Sequence, residues 1–157
     1  EELLHEHDFK IPHRVIPGGK ERYDSIKNAL VKSKGKMIAV HDGVRPLVEP
    51  ETIKHCFEEA EKSGAAIPVV PISESMRRKT AAGTEIVNRS DYLIVQTPQC
   101  FSRDVLIAAY EQPYHEGITD DASLVEEMGH AIETISGNES NIKITTQSDL
   151  KYAGMFL

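Results

Sequence analysis

Cysteine is scarce, excess positive charge is missing and no long apolar run occurs. The two cysteines among 157 residues are Cys56 and Cys100. Cys56 falls on the apolar stripe of a helix and Cys100 follows a Pro-Gln turn, with no metal-type spacing linking them. Two reduced thiols of a cytosolic protein are therefore expected, not a disulfide framework. Lys and Arg number 18 against 25 Asp and Glu, a formal net charge of -7. That balance argues against nucleic acid or an anionic membrane surface as the main partner, while leaving room for a locally basic pocket. No apolar run reaches about eighteen residues, and there is no secretory h-region, repeat or low-complexity tract. The chain opens Glu1-Glu2-Leu3-Leu4, without methionine and already in helical rhythm, and reads as the continuation of an upstream segment.

What is present is ordinary for a soluble domain, 39% hydrophobic and 27% charged. The length fits one domain over residues 1–157, enough to bury roughly two-thirds of the unfolded surface. The organising stretch is Met37-Ile-Ala-Val-His-Asp-Gly-Val-Arg-Pro46. Its four leading apolar residues predict a strand buried on both faces of a parallel sheet, since a half-exposed strand would alternate. Ligand crevices of open α/β sheets lie beyond the carboxyl ends of the strands, which is where His41, Asp42 and Arg45 project. A carboxylate and a guanidinium at that rim suit a divalent cation and phosphate oxygens, whereas a strand-end Asp that only caps the next turn is the plainer reading. Gly43 allows a turn or a close ligand approach, and Pro46 stops the strand.

Around this stretch, Leu3 and Leu4 read as a helix tail and Ile11 to Ile16 as a short strand broken by Pro17-Gly18-Gly19. A helix from Lys20 carries Tyr23, Ile26, Ala29 and Leu30 on one face, with Gly35 at its C-terminal cap. Glu49-Pro50-Glu51 opens a helix with the stripe Ile53, Cys56, Phe57 and Ala60, ended by Gly64 and followed by the apolar run Ala65 to Pro71. Alternating strands and helices predict a parallel sheet with right-handed crossovers. Residues 72–92 break the rhythm: basic Arg77-Arg78-Lys79, a turn at Ala81-Ala82-Gly83 and an extended Glu85 to Arg89 make an antiparallel arm too polar for a core. Leu93 to Val95 returns to the sheet. Ser102 can cap a helix carrying Val105, Leu106, Ala109 and Tyr110, and Thr119 caps another, with Asp120 and Asp121 in its first turn and Leu124, Val125 and Met128 along it. Ala131 to Ile135 reads as a strand. In Asn141 to Thr145, alternation sends Ile142 and Ile144 one way and Lys143 the other. Thr146 opens a last helix that buries Leu150, Ala153 and Leu157.

Five ordered pieces resemble the 2-C-methyl-D-erythritol 4-phosphate cytidylyltransferase family: Gly18-Gly19-Lys20-Glu21-Arg22 with Ser25, His41 to Pro46, Arg89 with Gln96-Thr97-Pro98-Gln99, Thr119 to Ser123, and Asn141 to Thr145. The resemblance implies a Rossmann-like α/β fold of the nucleotidyltransferase type, with a mostly parallel sheet, helices on both faces and a protruding antiparallel β-arm. It implies cytidylyl transfer from CTP to methylerythritol 4-phosphate with release of pyrophosphate, a step of non-mevalonate isoprenoid biosynthesis. Asp42 would hold a divalent cation, magnesium, and Arg45 and Lys143 would complete the catalytic set. Gly18, Gly19, Lys20, Ser25, Asp42 and Gly43 would meet the nucleotide. Ser75, Arg89, Lys143 and Thr119 would meet the acceptor phosphate, with Ser75 and Arg89 on an arm that crosses to a second subunit of a homodimer. His41 reads as a packed or solvent-facing strand end, and Thr119, Asp120 and Asp121 as a helix start.

The family's opening strand, its Ala-Ala-Gly-x-Gly-x-Arg loop and its Pro-Lys-Gln segment do not occur in these residues. A domain lacking its first βα unit, inactive by itself, is the resulting expectation. A cytidylyltransferase for another polyol phosphate, such as ribitol 5-phosphate, and a non-catalytic α/β binding or dimerisation module are the competing readings.

Overall fold

The structure is a computed structural model and describes residues 2–156. Contacts divide the chain into two compact units, Glu1–Lys34 and Gly35–Leu157, where one domain is expected.

In the first unit, helix α1 spans Glu2–Glu6 and helix α2 spans Arg22–Leu30. The backbone amide of Glu21 donates to Asp24 Oδ2 at 3.1 Å, tying the start of α2. Tyr23 and Leu30 are buried, Ile26 is half-buried and Ala29 is exposed, close to the expected face. Val31 takes the cap position, so the helix stops four residues before Gly35. The strand expected over Ile11 to Ile16 does not form. Pro12 has no amide to give a ladder, and no partner strand is offered among the described residues of this unit.

The second unit contains β1 (Met37–Val40), α3 (Pro50–Ser63), β2 (Ala65–Pro71), β3 (Arg77–Thr80), β4 (Gly83–Ile86), β5 (Leu93–Val95), β6 (Gln99–Ser102), α4 (Arg103–Ala109), α5 (Asp121–Glu127), β7 (Glu133–Ser136) and α6 (Gln147–Ala153). Pro50 opens α3 where its missing amide costs nothing, and Gly64 closes it at φ 90°, donating its amide to Ala60. Its stripe of small residues packs tightly: Cys56 and Ala60 meet Ala66 and Cys100, with Met37, Phe57 and Ile135 around them. Both cysteines are free and buried, and the Cys56 thiol donates to the carbonyls of Ala66 and Pro98.

The α/β class holds, but the sheet is mixed instead of mostly parallel. β1 pairs antiparallel with β6, β2 pairs antiparallel with both β5 and β6, and only β2 with β7 is parallel. Strands β1, β2 and β7 thus share a direction and β5–β6 runs against them. The helix-strand alternation that implies crossovers is interrupted by the arm, which returns the chain to the sheet reversed. β1 has a partner on one side among the described strands and is half-buried with Ala39 exposed, not buried on both faces.

Further departures are local. The strand predicted from Ala131 is β7 at Glu133–Ser136, and Cys100 lies within β6 instead of after a turn. Residues 141–145 join no ladder, although Ile142 and Ile144 are half-buried and Lys143 exposed as alternation predicts. In α6, Ala153 is buried but Leu150 is 55% exposed, and Leu157 lies outside the described residues. Thr146 caps this helix through the Asp149 amide. The arm forms as expected, β3 pairing antiparallel with β4, and every residue of both strands is exposed.

Packing therefore concentrates along β2, β6 and α4. Phe101 is fully buried while Ile86 on the arm is 80% exposed. Phe101→Ala is expected to cost about 3–5 kcal/mol in chemical denaturation and Ile86→Ala to stay within about 0.5 kcal/mol.

Candidate active site

Register explains how the rim is assembled. Val40 at the end of β1 faces Gln99 at the start of β6, and two further steps along that antiparallel register bring Asp42 opposite Thr97. The pairing persists there through a side chain: the Asp42 amide donates to Thr97 Oγ1 at 3.0 Å. His41 sits on the same hydroxyl, its Nδ1 at 2.9 Å, and its Nε2 lies 3.1 Å from the Arg45 carbonyl. A ring nitrogen facing a carbonyl must donate, so Nε2 carries the proton and Nδ1 accepts from Thr97. Both nitrogens of His41 are spent on bracing the turn, and the residue itself is exposed, a solvent-facing strand end and not a packed one.

That turn folds Arg45 back on Asp42. The Arg45 amide donates to the Asp42 carbonyl at 3.0 Å, and Arg45 Nε reaches Asp42 Oδ2 at 3.2 Å. A second cation arrives from residues 141–145, where Lys143 Nζ stands 3.4 Å from the same Oδ2. Asp42 and Arg45 keep only 14% and 11% of their side-chain surface, against 50% for Lys143. Two cations against one carboxylate leave this spot net positive on a chain of net charge -7, and weak solvation strengthens their field. Asp42, Arg45 and Lys143, expected from the sequence to act together, are thus brought into direct contact. A Cβ at Gly43 would meet open space, leaving the backbone of the turn bare to an incoming ligand.

Beneath the rim lies a set of buried polar side chains whose placement sequence reasoning missed. Asn141 Nδ2 donates to the Thr97 carbonyl at 2.9 Å and to Gln96 Oε1 at 3.3 Å, and the Asn141 carbonyl accepts from Arg45 Nη1 at 2.8 Å. Asn138 joins the loop after β7 to the entry of α3, accepting from the Glu49 amide and the Thr52 hydroxyl and donating to the Leu47 carbonyl. Gln99 Oε1 accepts the amides of Asp121 and Ala122 at the start of α5, and its Nε2 donates to Asp120 Oδ2 at 2.7 Å. The available signal was Gln96-Thr97-Pro98-Gln99 itself, amides and a hydroxyl inserted in an apolar run where each must find a partner.

The remaining expected residues fall elsewhere. Thr119 is exposed just ahead of α5, whose start is capped by Asp120 accepting the Ser123 amide at 2.9 Å. Asp120 and Asp121 therefore form a helix start, as expected. Ser75 and Arg89 line one cavity of about 490 Å³ on the arm, together with Arg77 and Asn88. Arg89 donates to the Ser73 carbonyl. In the first unit the Gly19 amide donates to Ser25 Oγ at 2.9 Å, and a Cβ on Gly19 would stand 2.1 Å from Asp24 Cβ. Only glycine fits there. Lys20 is exposed.

No group of three or more His, Cys, Asp or Glu gathers among the described residues, which excludes an all-protein cage within them. Magnesium takes one or two carboxylates, keeps waters and completes its shell with phosphate oxygens, so a single carboxylate at a rim, as Asp42 is, fits it.

The family model described as 2-C-methyl-D-erythritol 4-phosphate cytidylyltransferase matches residues 2–157. The chain belongs to this family of cytidylyltransferases. It is 48% identical over 157 residues to the 2-C-methyl-D-erythritol 4-phosphate cytidylyltransferase of Bacteroides fragilis, covering 99% of this chain and 72% of that protein. A crystal structure of the Thermus thermophilus enzyme of the same name superposes with a TM-score of 0.83 at 29% identity, over 94% of this chain and 77% of that one. A structure named 4-diphosphocytidyl-2C-methyl-D-erythritol synthase, from Anaerococcus prevotii, gives 0.87 at 24% identity over 99% of this chain and 73% of that one, a likeness of fold.

Thr97 is the hinge pin of this geometry. Thr97→Val keeps the shape and leaves the Asp42 amide without its acceptor; a loss of about 1–2 kcal/mol is expected in denaturant titration, and an unchanged midpoint would remove Thr97 from the frame.

Proposed function

We propose that the Asp42, Arg45 and Lys143 rim serves the reaction the family is named for. In it the 4-phosphate of methylerythritol attacks the α-phosphorus of CTP in line. One P–O bond forms as another breaks, pyrophosphate leaves with the electron pair, and the product is 4-diphosphocytidyl-2-C-methyl-D-erythritol. No protein nucleophile is required. Two polyanions have to be brought together, so positioning and fixed positive charge supply the rate enhancement.

The observation that carries this reading is the pair of cations converging on one carboxylate at a strand end. Asp42 would hold magnesium, which would supply positive charge to offset the charge gathering at the reacting phosphorus. Arg45, fixed by Asp42 and the Asn141 carbonyl, presents its guanidinium to phosphate oxygens. Lys143, half-exposed on its stem, meets the acceptor phosphate. Gly18, Gly19, Lys20 and Ser25 serve the nucleotide, with the Gly19 amide tied to the Ser25 hydroxyl. Both cysteines are free and buried, in keeping with a reducing compartment, and we assign the protein to the cytoplasm.

A homodimer completes the reading. Ser75 and Arg89 share one basic cavity on the arm, suited to holding the acceptor phosphate of a partner subunit. A two-stranded hairpin without buried residues is marginal alone, and beside it Tyr92, Leu93, Ile94 and Val95 leave 39–51% of their surface exposed. A second copy is the surface they suit.

Calorimetric titration with CTP in magnesium is expected to show Asp42→Asn weakening binding about ten-fold or more; equal affinity for both proteins would overturn the metal-side assignment. Methylerythritol 4-phosphate should bind more tightly than ribitol 5-phosphate, and the reverse order would reassign the acceptor. In sedimentation, the native chain should be a dimer and Leu93→Glu should shift it toward monomer, since the substitution desolvates a charge in the interface. A native monomer at working concentration would exclude the shared site.

A further inference from the structure

Asn141 touches neither a reacting group nor the surface, yet every element of the rim is tied to it. It is fully buried. Both hydrogens of its side-chain amide go to the segment that carries Thr97, one to the Thr97 carbonyl and one to Gln96 Oε1. Thr97 in turn holds the Asp42 amide. The Asn141 carbonyl takes Arg45 Nη1, and two residues on, Lys143 reaches Asp42. The bonds close a ring running from Asp42 to Thr97, to Asn141, to Arg45 and back to Asp42.

One member of this ring is left unsatisfied. Asn141 Oδ1 is the one buried side-chain oxygen or nitrogen without a hydrogen-bond partner among the described residues. Turning the amide over would not cure this, because it would aim the oxygen at two acceptors and the nitrogen at nothing. Residues 141–145 join no strand ladder, and the side-chain amide of Asn141 supplies the anchoring that backbone pairing would otherwise provide. The Asp149 carboxylate secures the far end, accepting the amides of Thr145 and Thr146, and these bonds hold its pKa below the usual carboxylate value.

We infer that Asn141 is a positioning residue for cytidylyl transfer: its side-chain amide pins the 141–145 segment to Thr97 and so sets Lys143 and Arg45 against Asp42. This rests on the reading of Lys143 as an acceptor-phosphate contact. A positioning role differs from a structural one in how it combines with Lys143. If Asn141 acts through Lys143, removing Lys143 must remove most of what Asn141 contributes to binding while leaving what it contributes to folding.

The test is a four-member cycle of the full chain, native, Asn141→Ala, Lys143→Ala and the double variant. Each is titrated calorimetrically with methylerythritol 4-phosphate in magnesium and melted in parallel. Asn141→Ala is expected to weaken binding about ten-fold in the native background and less than about two-fold in the Lys143→Ala background, with the same shift in melting temperature in both. Equal weakening in both backgrounds, or none in either, overturns the inference. Should Asn141→Ala fail to fold, Asn141→Ser, which keeps one donor, replaces it under the same criteria. Loss of affinity in Lys143→Ala alone separates this inference from the one beneath it: if that variant binds as tightly as the native chain, the Lys143 assignment falls first and the inference with it.

Discussion

Everything at the rim depends on the backbone of Asp42 being fixed by a side chain that comes from 55 residues away. Past the end of β1 the sheet ladder stops, and a loop there would ordinarily find water. The Thr97 hydroxyl takes the place of the next ladder acceptor and holds the Asp42 amide at 3.0 Å. With the backbone fixed, the carboxylate is oriented by Arg45 and Lys143, which converge on the same oxygen. An exposed pair of this kind would be worth little, because two long side chains would lose rotamer freedom to hold one geometry. Here the Arg45 guanidinium is already anchored on the Asn141 carbonyl, so part of that entropy is lost in folding and not on binding.

The antiparallel run of β6 beside β1 is what makes this possible. In a fully parallel arrangement the neighbouring strand would end where β1 ends, and its following loop would leave the sheet in the same direction. With β6 reversed, the residues before it lie beside the residues after β1. Gln96, Thr97 and Gln99 thereby enter the buried layer at the level of the rim, and each finds a task. Thr97 steadies Asp42, Gln96 meets Asn141 and Asn138, and Gln99 holds the first amides of α5. Buried amides lose hydration, and the bonds these side chains make with one another recover much of it while permitting fewer alternative arrangements than an apolar filling would. The mixed sheet and the polar layer are one design seen twice.

How much of this could be read from the residues follows from the range of the interactions involved. His41 to Pro46 was legible because the change from apolar strand to polar turn is local, and so were the helix ends at Pro50, Gly64 and Thr146, while the cap of α5 falls at Asp120, one residue after the expected Thr119. The arm announced itself by composition. The strand directions did not, since apolar runs carry no sign of orientation and the 72–92 hairpin reverses the chain without marking the next run. The strand predicted at Ile11 to Ile16 failed for a related reason: a short apolar stretch forms a strand only if an edge is available, which no window of sequence reports. Likewise the exposed Leu150 obeys helical periodicity on a helix whose packing depends on distant surfaces.

The sharpest contrast is between Lys143 and Asn141. Lys143 stands out in sequence as the polar residue between two isoleucines, and alternation correctly sends it away from the core. Asn141 carries no such signal, because a neutral amide at the start of an extended segment is common and usually solvated. Its meaning arises only when Gln96 and Thr97 are brought beside it from more than forty residues away. A charged group can be placed by its need for water, and so its face is predictable from pattern. A buried amide is placed by its need for specific partners, and those partners exist only once the fold has gathered them.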